Sequence, residues 1–141
     1  MSAARATLVD PTDAPPEPDK LDGAPHPRNT MTLLGQATPE AAFLDAVADD
    51  KLHHAWLLTG PRGVGKATFA WHAARYLRAI GSDDAPTGLA MPADHRVARR
   101  ASALADPGVF LLRRTWDHKL KRLKTVIGVD EVRRLTPFFG M

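Results

Sequence analysis

Ala55-Trp56-Leu57-Leu58-Thr59-Gly60-Pro61-Arg62-Gly63-Val64-Gly65-Lys66 is the most informative stretch of the chain. Its first part, Ala55–Thr59, is a short, continuously apolar run that ends at a Gly/Pro turn. Strands of a parallel sheet have this pattern, because helices bury both of their faces. The run therefore predicts a core strand, and the chain is predicted to fold as an α/β module around a parallel sheet.

Helical patterns flank this strand on both sides. After the glycines, apolar residues recur at helical spacing, with Arg75 and Arg78 off the apolar stripe. Before the strand, Thr38 is predicted to cap a helix with Pro39 at its first position and Glu40 in its first turn. The residues predicted to face the core are Phe43, Leu44 and Val47 in the earlier helix and Phe69, Ala70, Ala73, Ala74 and Leu77 in the later one.

Shorter elements are predicted towards the C-terminus. Asp94 to Ala105 is an amphipathic segment, and Asp106–Gly108 is a turn. Strands are predicted at Val109–Leu112 and Thr125–Ile127. A charged connection from Trp116 to Lys124 separates these strands, and Asp130 is predicted to cap a last helix.

The N-terminal part differs in composition from the rest. The first 28 residues hold six of the twelve prolines and almost no large apolar side chain. Such a segment buries too little apolar surface to offset its ordering entropy, so residues 1–28 are predicted to be a disordered tail and residues 29–141 the folded domain. Because there is neither a bilayer-length apolar run nor an apolar signal core, the chain is predicted to be cytoplasmic.

Basic residues are concentrated late in the chain. Residues 94–134 carry eleven basic and five acidic side chains, whereas residues 1–28 carry three and five. Such a stretch suits nucleic acid or an acidic partner face, and Trp116 stands just before the Lys119–Lys124 cluster. A solvated helix face and loop is the simpler interpretation and the preferred one.

The glycine-rich segment after the predicted strand has the composition of a phosphate-binding loop. A loop at a helix N-terminus directs backbone N–H groups inward, and the helix dipole adds to the attraction for anions. Glycines allow the turns and the close approach, and the lysine would bring its ammonium to the terminal phosphates. The predicted phosphate-binding residues are Gly60, Pro61, Arg62, Gly63, Val64, Gly65, Lys66, Ala67 and Thr68.

The position after Lys66 departs from the usual pattern. A Ser or Thr hydroxyl coordinates Mg²⁺ there in P-loop proteins, but this chain has Ala67, with Thr68 one step later. One helical step rotates a side chain by about 100 degrees, so Thr68 cannot take over the role. We expect nucleotide binding through backbone amides and Lys66, with impaired metal-assisted hydrolysis. No catalytic residue and no metal ligand is predicted.

The segment His54–Lys66 resembles the corresponding segment of clamp-loader ATPases of the AAA+ class, and Leu34–Gln36 with the helix to Asp50 also fits. Within that class, the chain is similar to the delta-prime subunits of the DNA polymerase III holoenzyme over residues 28–141. The further segments that carry this resemblance are Asp94–Arg100, Leu111–Arg114, Lys121–Ile127 and Val129–Arg133.

The resemblance implies an AAA+ P-loop nucleotide-binding module in a hetero-oligomeric ring with gamma/tau and delta subunits. Such a ring opens the sliding clamp and loads it on primed DNA, and delta-prime subunits serve in it largely as a rigid stator. ATP is the cofactor that the resemblance implies. Its phosphates would lie at Gly60, Gly63, Gly65 and Lys66, and its base near Leu34 and Gly35.

The chain departs from that family in two further respects. Many relatives carry a four-cysteine zinc site, whereas this chain has no cysteine, so no zinc is expected. The chain also stops at Phe138–Met141, where the family continues to its next core strand. We therefore expect a truncated module: a fragment, a shortened gene model or a damaged gene copy. An incomplete sheet leaves apolar faces uncovered, which predicts a marginally stable or aggregation-prone polypeptide.

Two other functions stay open at this point. An independent small P-loop kinase or NTPase needs a metal-binding hydroxyl after Lys66 and a later catalytic acid, and neither is evident. A non-functional remnant would fold partly and bind nothing. Nucleotide titration and capture of gamma/tau subunits distinguish both from a clamp-loader subunit.

Overall fold

The computed structural model of the protein describes residues 15–140. The chain divides into two compact units. The larger is Asp19–Leu111, and the smaller is Met1–Pro18 with Leu112–Met141, of which residues 15–18 and 112–140 are described. The predicted tail, residues 1–28, lies partly outside the described residues. Near its end, His26 is buried and accepts a hydrogen bond from the backbone N–H of Arg28.

Helices dominate the larger unit. A short 3₁₀ helix, Pro27–Asn29, precedes α1 (Ala37–Ala48), α2 (Lys66–Ala79) and α3 (Arg96–Ser102). The predicted Thr38 cap is wrong, because α1 already begins at Ala37, behind a Gln36 that makes no side-chain capping bond. Glu40 instead accepts a hydrogen bond from the backbone N–H of Leu89, which ties the segment before α3 to α1.

An aromatic cluster joins α1 to α2. Phe43 is buried and meets the rings of Trp56, Phe69 and Tyr76 edge-on, with centroids 5.4, 6.1 and 6.4 Å away. Leu44 and Val47 pack beside it, so the predicted apolar face of α1 is confirmed. On α2, Phe69 and Ala73 are buried as predicted, whereas Ala70 and Leu77 are exposed. The predicted stripe was too wide, because α1 covers only part of it.

The opposite side of α2 faces the segment around the 3₁₀ helix and α3. Ala79, Met91, Val97 and Ala98 form a second apolar cluster there, with Met31 packed against it. The predicted turn Asp106–Gly108 is confirmed, since Asp106 Oδ1 accepts the N–H of Gly108 at 2.9 Å. The same oxygen accepts from Arg78 Nε at 2.9 Å, so a buried carboxylate links this turn to α2.

Two polar residues of α2 are fully buried. Arg75 donates to the carbonyl oxygens of Trp71, Arg28 and Thr30. His72 lies between the carbonyl oxygens of Thr30 and Leu89, at 3.0 Å from Nε2 and 3.1 Å from Nδ1. The sequence pattern places Arg75 off the apolar stripe, yet it is 1% exposed, because the chain around Arg28–Thr30 covers that side of the helix.

The smaller unit contains one hairpin and two short helices among its described residues. Strands β1 (Trp116–Asp117) and β2 (Arg122–Leu123) pair antiparallel, and α4 (Val129–Arg133) and α5 (Leu135–Phe139) follow. Gly128, not Asp130, precedes the first residue of α4, so the predicted cap is wrong. Asp130 lies within the helix and pairs with Arg133 at 3.4 Å.

The predicted parallel sheet is wrong. Residues 15–140 are mostly helical where they are regular, and the two-stranded antiparallel hairpin is the only sheet among them. Ala55–Thr59, Val109–Leu112 and Thr125–Ile127 belong to no strand, and Leu57 is 88% exposed. An apolar run forms a strand only when a neighbouring strand supplies its hydrogen-bond ladder, and no ladder reaches these segments. The described chain is therefore not a parallel-sheet AAA+ module.

No helix within residues 15–140 is both long enough and apolar enough to cross a bilayer.

His72 makes the larger unit sensitive to acid. Burial, and then the charge of Arg75, lowers the pKa of His72 below its usual 6.5, and these outweigh the opposing effects of the carbonyl oxygens of Thr30 and Leu89 and of Glu40. As the pH falls below 6.5, the unfolded chain therefore takes up this proton first, and stability decreases. We expect His72→Gln to flatten the decline of unfolding free energy between pH 6.5 and 5.5 by up to about 1.4 kcal/mol per pH unit. Urea denaturation at three pH values measures the free energy of unfolding of both proteins. An equal dependence of that free energy on pH in wild type and His72→Gln would contradict the prediction.

Candidate functional site

The glycine-rich loop lies directly before α2. Gly60, Gly63 and Gly65 have φ angles of 141°, 86° and 96°, a region that side chains with a Cβ rarely adopt. Space is not the constraint at Gly63, where an added Cβ would meet nothing within 4 Å. These glycines are therefore required by the backbone path of the loop, which turns sharply into the first residue of the helix.

The backbone amides of this loop are available to a ligand. Among the described residues, the N–H groups of Gly63, Val64 and Gly65 donate no hydrogen bond. They stand next to the first turn of α2, whose own N–H groups have no acceptor within the helix and carry the positive end of its dipole. The arrangement offers several donors to an anion, as helix N-termini generally do.

Lys66 folds back over the loop. Its Nζ donates to the carbonyl oxygen of Gly60 at 2.8 Å and to that of Pro61 at 2.7 Å. The ammonium is thus held at the loop rather than extended into solvent. A phosphate group bound at the amides would find a fixed positive charge beside it, and Lys66 would keep one of its three donors for that group.

The segment before α1 contacts the loop from another side. Gln36 Nε2 donates to the carbonyl oxygen of Val64 at 2.7 Å, and Leu33 Cδ1 would lie 3.7 Å from a Cβ added at Gly65. Gln36 is absent from the predicted set, although it directly follows the predicted Leu34 and Gly35. Leu34 itself is 80% exposed, and Gly35 has φ 68°. Gln36 is therefore the residue that joins this segment to the loop.

The remaining predicted residues offer less chemistry. Pro61, Arg62 and Ala67 are exposed, and Thr68 is half-buried in the first turn of α2. Residues 15–140 contain no group of three or more His, Cys, Asp or Glu side chains that could hold a metal ion. The arrangement can bind an anion.

Comparisons with known proteins give one local similarity. The chain is 43% identical to the DNA polymerase III subunit gamma of Buchnera aphidicola subsp. Schizaphis graminum (strain Sg) over 44 residues. The matched stretch is 31% of this chain and 12% of that subunit. No family model matches the chain, and no solved structure matches it. The similarity thus links part of the chain to part of a DNA polymerase III gamma subunit.

Proposed function

We propose that the protein takes part in loading the sliding clamp during DNA replication, as a delta-prime-like subunit of the DNA polymerase III holoenzyme. In this proposal its loop Gly60–Thr68 binds the phosphates of ATP and does not hydrolyse them efficiently. Its partners are the gamma/tau and delta subunits of the clamp loader, and it meets the clamp and primed DNA through that complex.

The observation that carries the proposal is the 43% identity over 44 residues to a DNA polymerase III gamma subunit. The loop supports the nucleotide-binding part. Its glycines adopt positive φ angles, its amides are free to donate, and Lys66 holds a positive charge against it. ATP offers the anionic groups that such a loop recognises.

The first test is nucleotide affinity. We expect Lys66→Ala to weaken ATP binding about 10- to 100-fold, because a charge-assisted hydrogen bond to a phosphate contributes roughly 1.5–3 kcal/mol. Calorimetric titration of the full chain with ATP measures this. Lys51→Ala is the matched control, since its side chain is 76% exposed and lies outside the loop. Equal affinities of wild type and Lys66→Ala would contradict a phosphate site at the loop.

The role of the metal is tested by the rate of ATP turnover with and without Mg²⁺. Ala67→Thr supplies the hydroxyl that P-loop proteins use for Mg²⁺, so the variant should gain Mg²⁺-dependent ATP turnover over the wild type. Measurable Mg²⁺-dependent turnover by the wild type, at the rate of the Ala67→Thr variant, would contradict the proposed loss of hydrolysis.

The assembly part is tested separately. Purified gamma/tau subunits are expected to retain the tagged chain in a pull-down, and Lys66→Ala should be retained as well. ATP binding without capture favours an independent P-loop enzyme. A chain that neither binds ATP nor is captured is a non-functional remnant.

A further inference from the structure

The hairpin of the smaller unit presents a set of cations on a defined scaffold. In its register Trp116 faces Leu123 and Asp117 faces Arg122, and the backbone N–H of Lys124 adds a bond to the carbonyl oxygen of Thr115 at 2.9 Å. Residues 118–121 connect the two strands. We call Trp116–Lys124 the basic hairpin, because it carries four Lys or Arg side chains against one carboxylate.

The connection and the base of the hairpin are both held in place. Asp117 Oδ1 accepts the backbone N–H groups of Leu120 at 3.0 Å and Lys119 at 2.9 Å, which fixes the start of the connection. At the base, Glu131 of α4 accepts from Thr115 Oγ1 at 3.1 Å and pairs with Lys124 Nζ at 3.8 Å. The side chains at the tip are therefore displayed from an ordered backbone.

Three cations at the tip are exposed. Lys119, Lys121 and Arg122 make no side-chain hydrogen bond or close ion pair among the described residues, and the one carboxylate of the hairpin, Asp117, faces Arg122 in the register. Lys124, by contrast, is already paired with Glu131. Four cations share the hairpin with one carboxylate, so its net charge is positive, and like charges that repel one another favour an anionic partner.

We propose that the basic hairpin binds the phosphate backbone of double-stranded DNA directly, without reading its sequence. The major groove of B-DNA admits a two-stranded β-ribbon such as this hairpin. The exposed Lys and Arg side chains of the hairpin would then contact the regularly spaced phosphates of the DNA backbone. This goes beyond the proposed function, in which the chain meets DNA only through its complex, and it does not depend on nucleotide binding at Gly60–Thr68.

An acidic protein face is the competing partner, and the composition of the tip disfavours it. Two of the three exposed cations at the tip are lysines, which are depleted at protein–protein interfaces. The exposed rings that would anchor a protein partner are lacking at the tip, whose apolar side chain is Leu120, 60% exposed. Phosphate contacts need no such anchor, because most of their affinity comes from counterion release.

The test uses the full chain and a fluorescent 30-base-pair duplex DNA of arbitrary sequence, followed by anisotropy over a range of salt concentrations. The hairpin variant is Lys119→Gln/Lys121→Gln/Arg122→Gln. It should bind about 10- to 100-fold more weakly at low salt, and its slope of log affinity against log salt should fall by up to about 2.7, or 0.9 for each lost phosphate contact. A second, unrelated duplex should give the same result.

Controls separate the hairpin from net charge and from misfolding. Lys20→Gln/Lys51→Gln/Arg99→Gln removes the same charge from exposed positions elsewhere and should retain most of the affinity. Lys119→Arg/Lys121→Arg/Arg122→Lys keeps the charge and should bind as the wild type does. Equal losses in the two glutamine variants, or none in either, would overturn the proposal. So would a hairpin variant that keeps its DNA affinity and loses binding only to polyglutamate or to duplex RNA.

Discussion

Phe43→Ala is expected to lower the free energy of unfolding of the larger unit by about 3–5 kcal/mol. Phe43 is 4% exposed, and it is the ring shared by all three aromatic contacts that join α1, the segment at Trp56 and α2. Truncation removes the transfer energy of the ring and leaves a cavity that three rigid aromatic neighbours cannot fill. Since small proteins are stable by only about 5–15 kcal/mol, the loss would take a large fraction of the total.

Urea denaturation followed by tryptophan fluorescence measures this effect, because Trp56 lies edge-on to Phe43 at 5.4 Å. Leu57→Ala is the matched control. Leu57 is adjacent in sequence and 88% exposed, so its truncation should change stability by less than about 0.5 kcal/mol. Phe43→Ala with wild-type stability would mean that the aromatic cluster does not hold the two helices together.

Arg75→Ala should have an effect of similar size, about 3–5 kcal/mol. Arg75 is fully buried, and burial lowers the pKa of its guanidinium. Its donors reach the carbonyl oxygens of Arg28 and Thr30, at 3.3 and 3.1 Å, and so attach the segment before α1 to α2. Removing a buried cation recovers part of its desolvation cost, but the cavity and the lost charge-assisted bonds outweigh that gain.

A second substitution at the same position separates volume from hydrogen bonding. Arg75→Met fills most of the space but donates no hydrogen bond. It should therefore lower the free energy of unfolding by about 1–2 kcal/mol less than Arg75→Ala does. Arg99→Ala, on the exposed face of α3, is the control, and its free energy of unfolding should stay within about 0.5 kcal/mol of the wild-type value. If both Arg75 variants match the wild type, the bonds to Arg28 and Thr30 merely balance the cost of burying the charge.

The loop and helix predicted around Lys66 agree with the structure better than the predicted fold does, and phosphate binding there stays a prediction. The loop Gly60–Lys66 could be recognised because positive φ angles favour glycine at particular places, and the helix that follows begins at Lys66 as the pattern indicates. Gln36 could not be found in this way. Its hydrogen bond to Val64 joins positions 28 residues apart, and no local spacing reports such a contact.

Local features of the chain were determined by sequence alone. The apolar face of α1, the helix after the glycines and the turn at Asp106–Gly108 each follow from preferences of neighbouring residues, which need no distant partner. Tertiary structure determined the rest. Ala55–Thr59 is not a strand, because a ladder requires a second segment, and Arg75 is buried because the chain around Arg28–Thr30 covers it. Pairing and burial are properties of two segments at once, so a pattern within one segment cannot specify them.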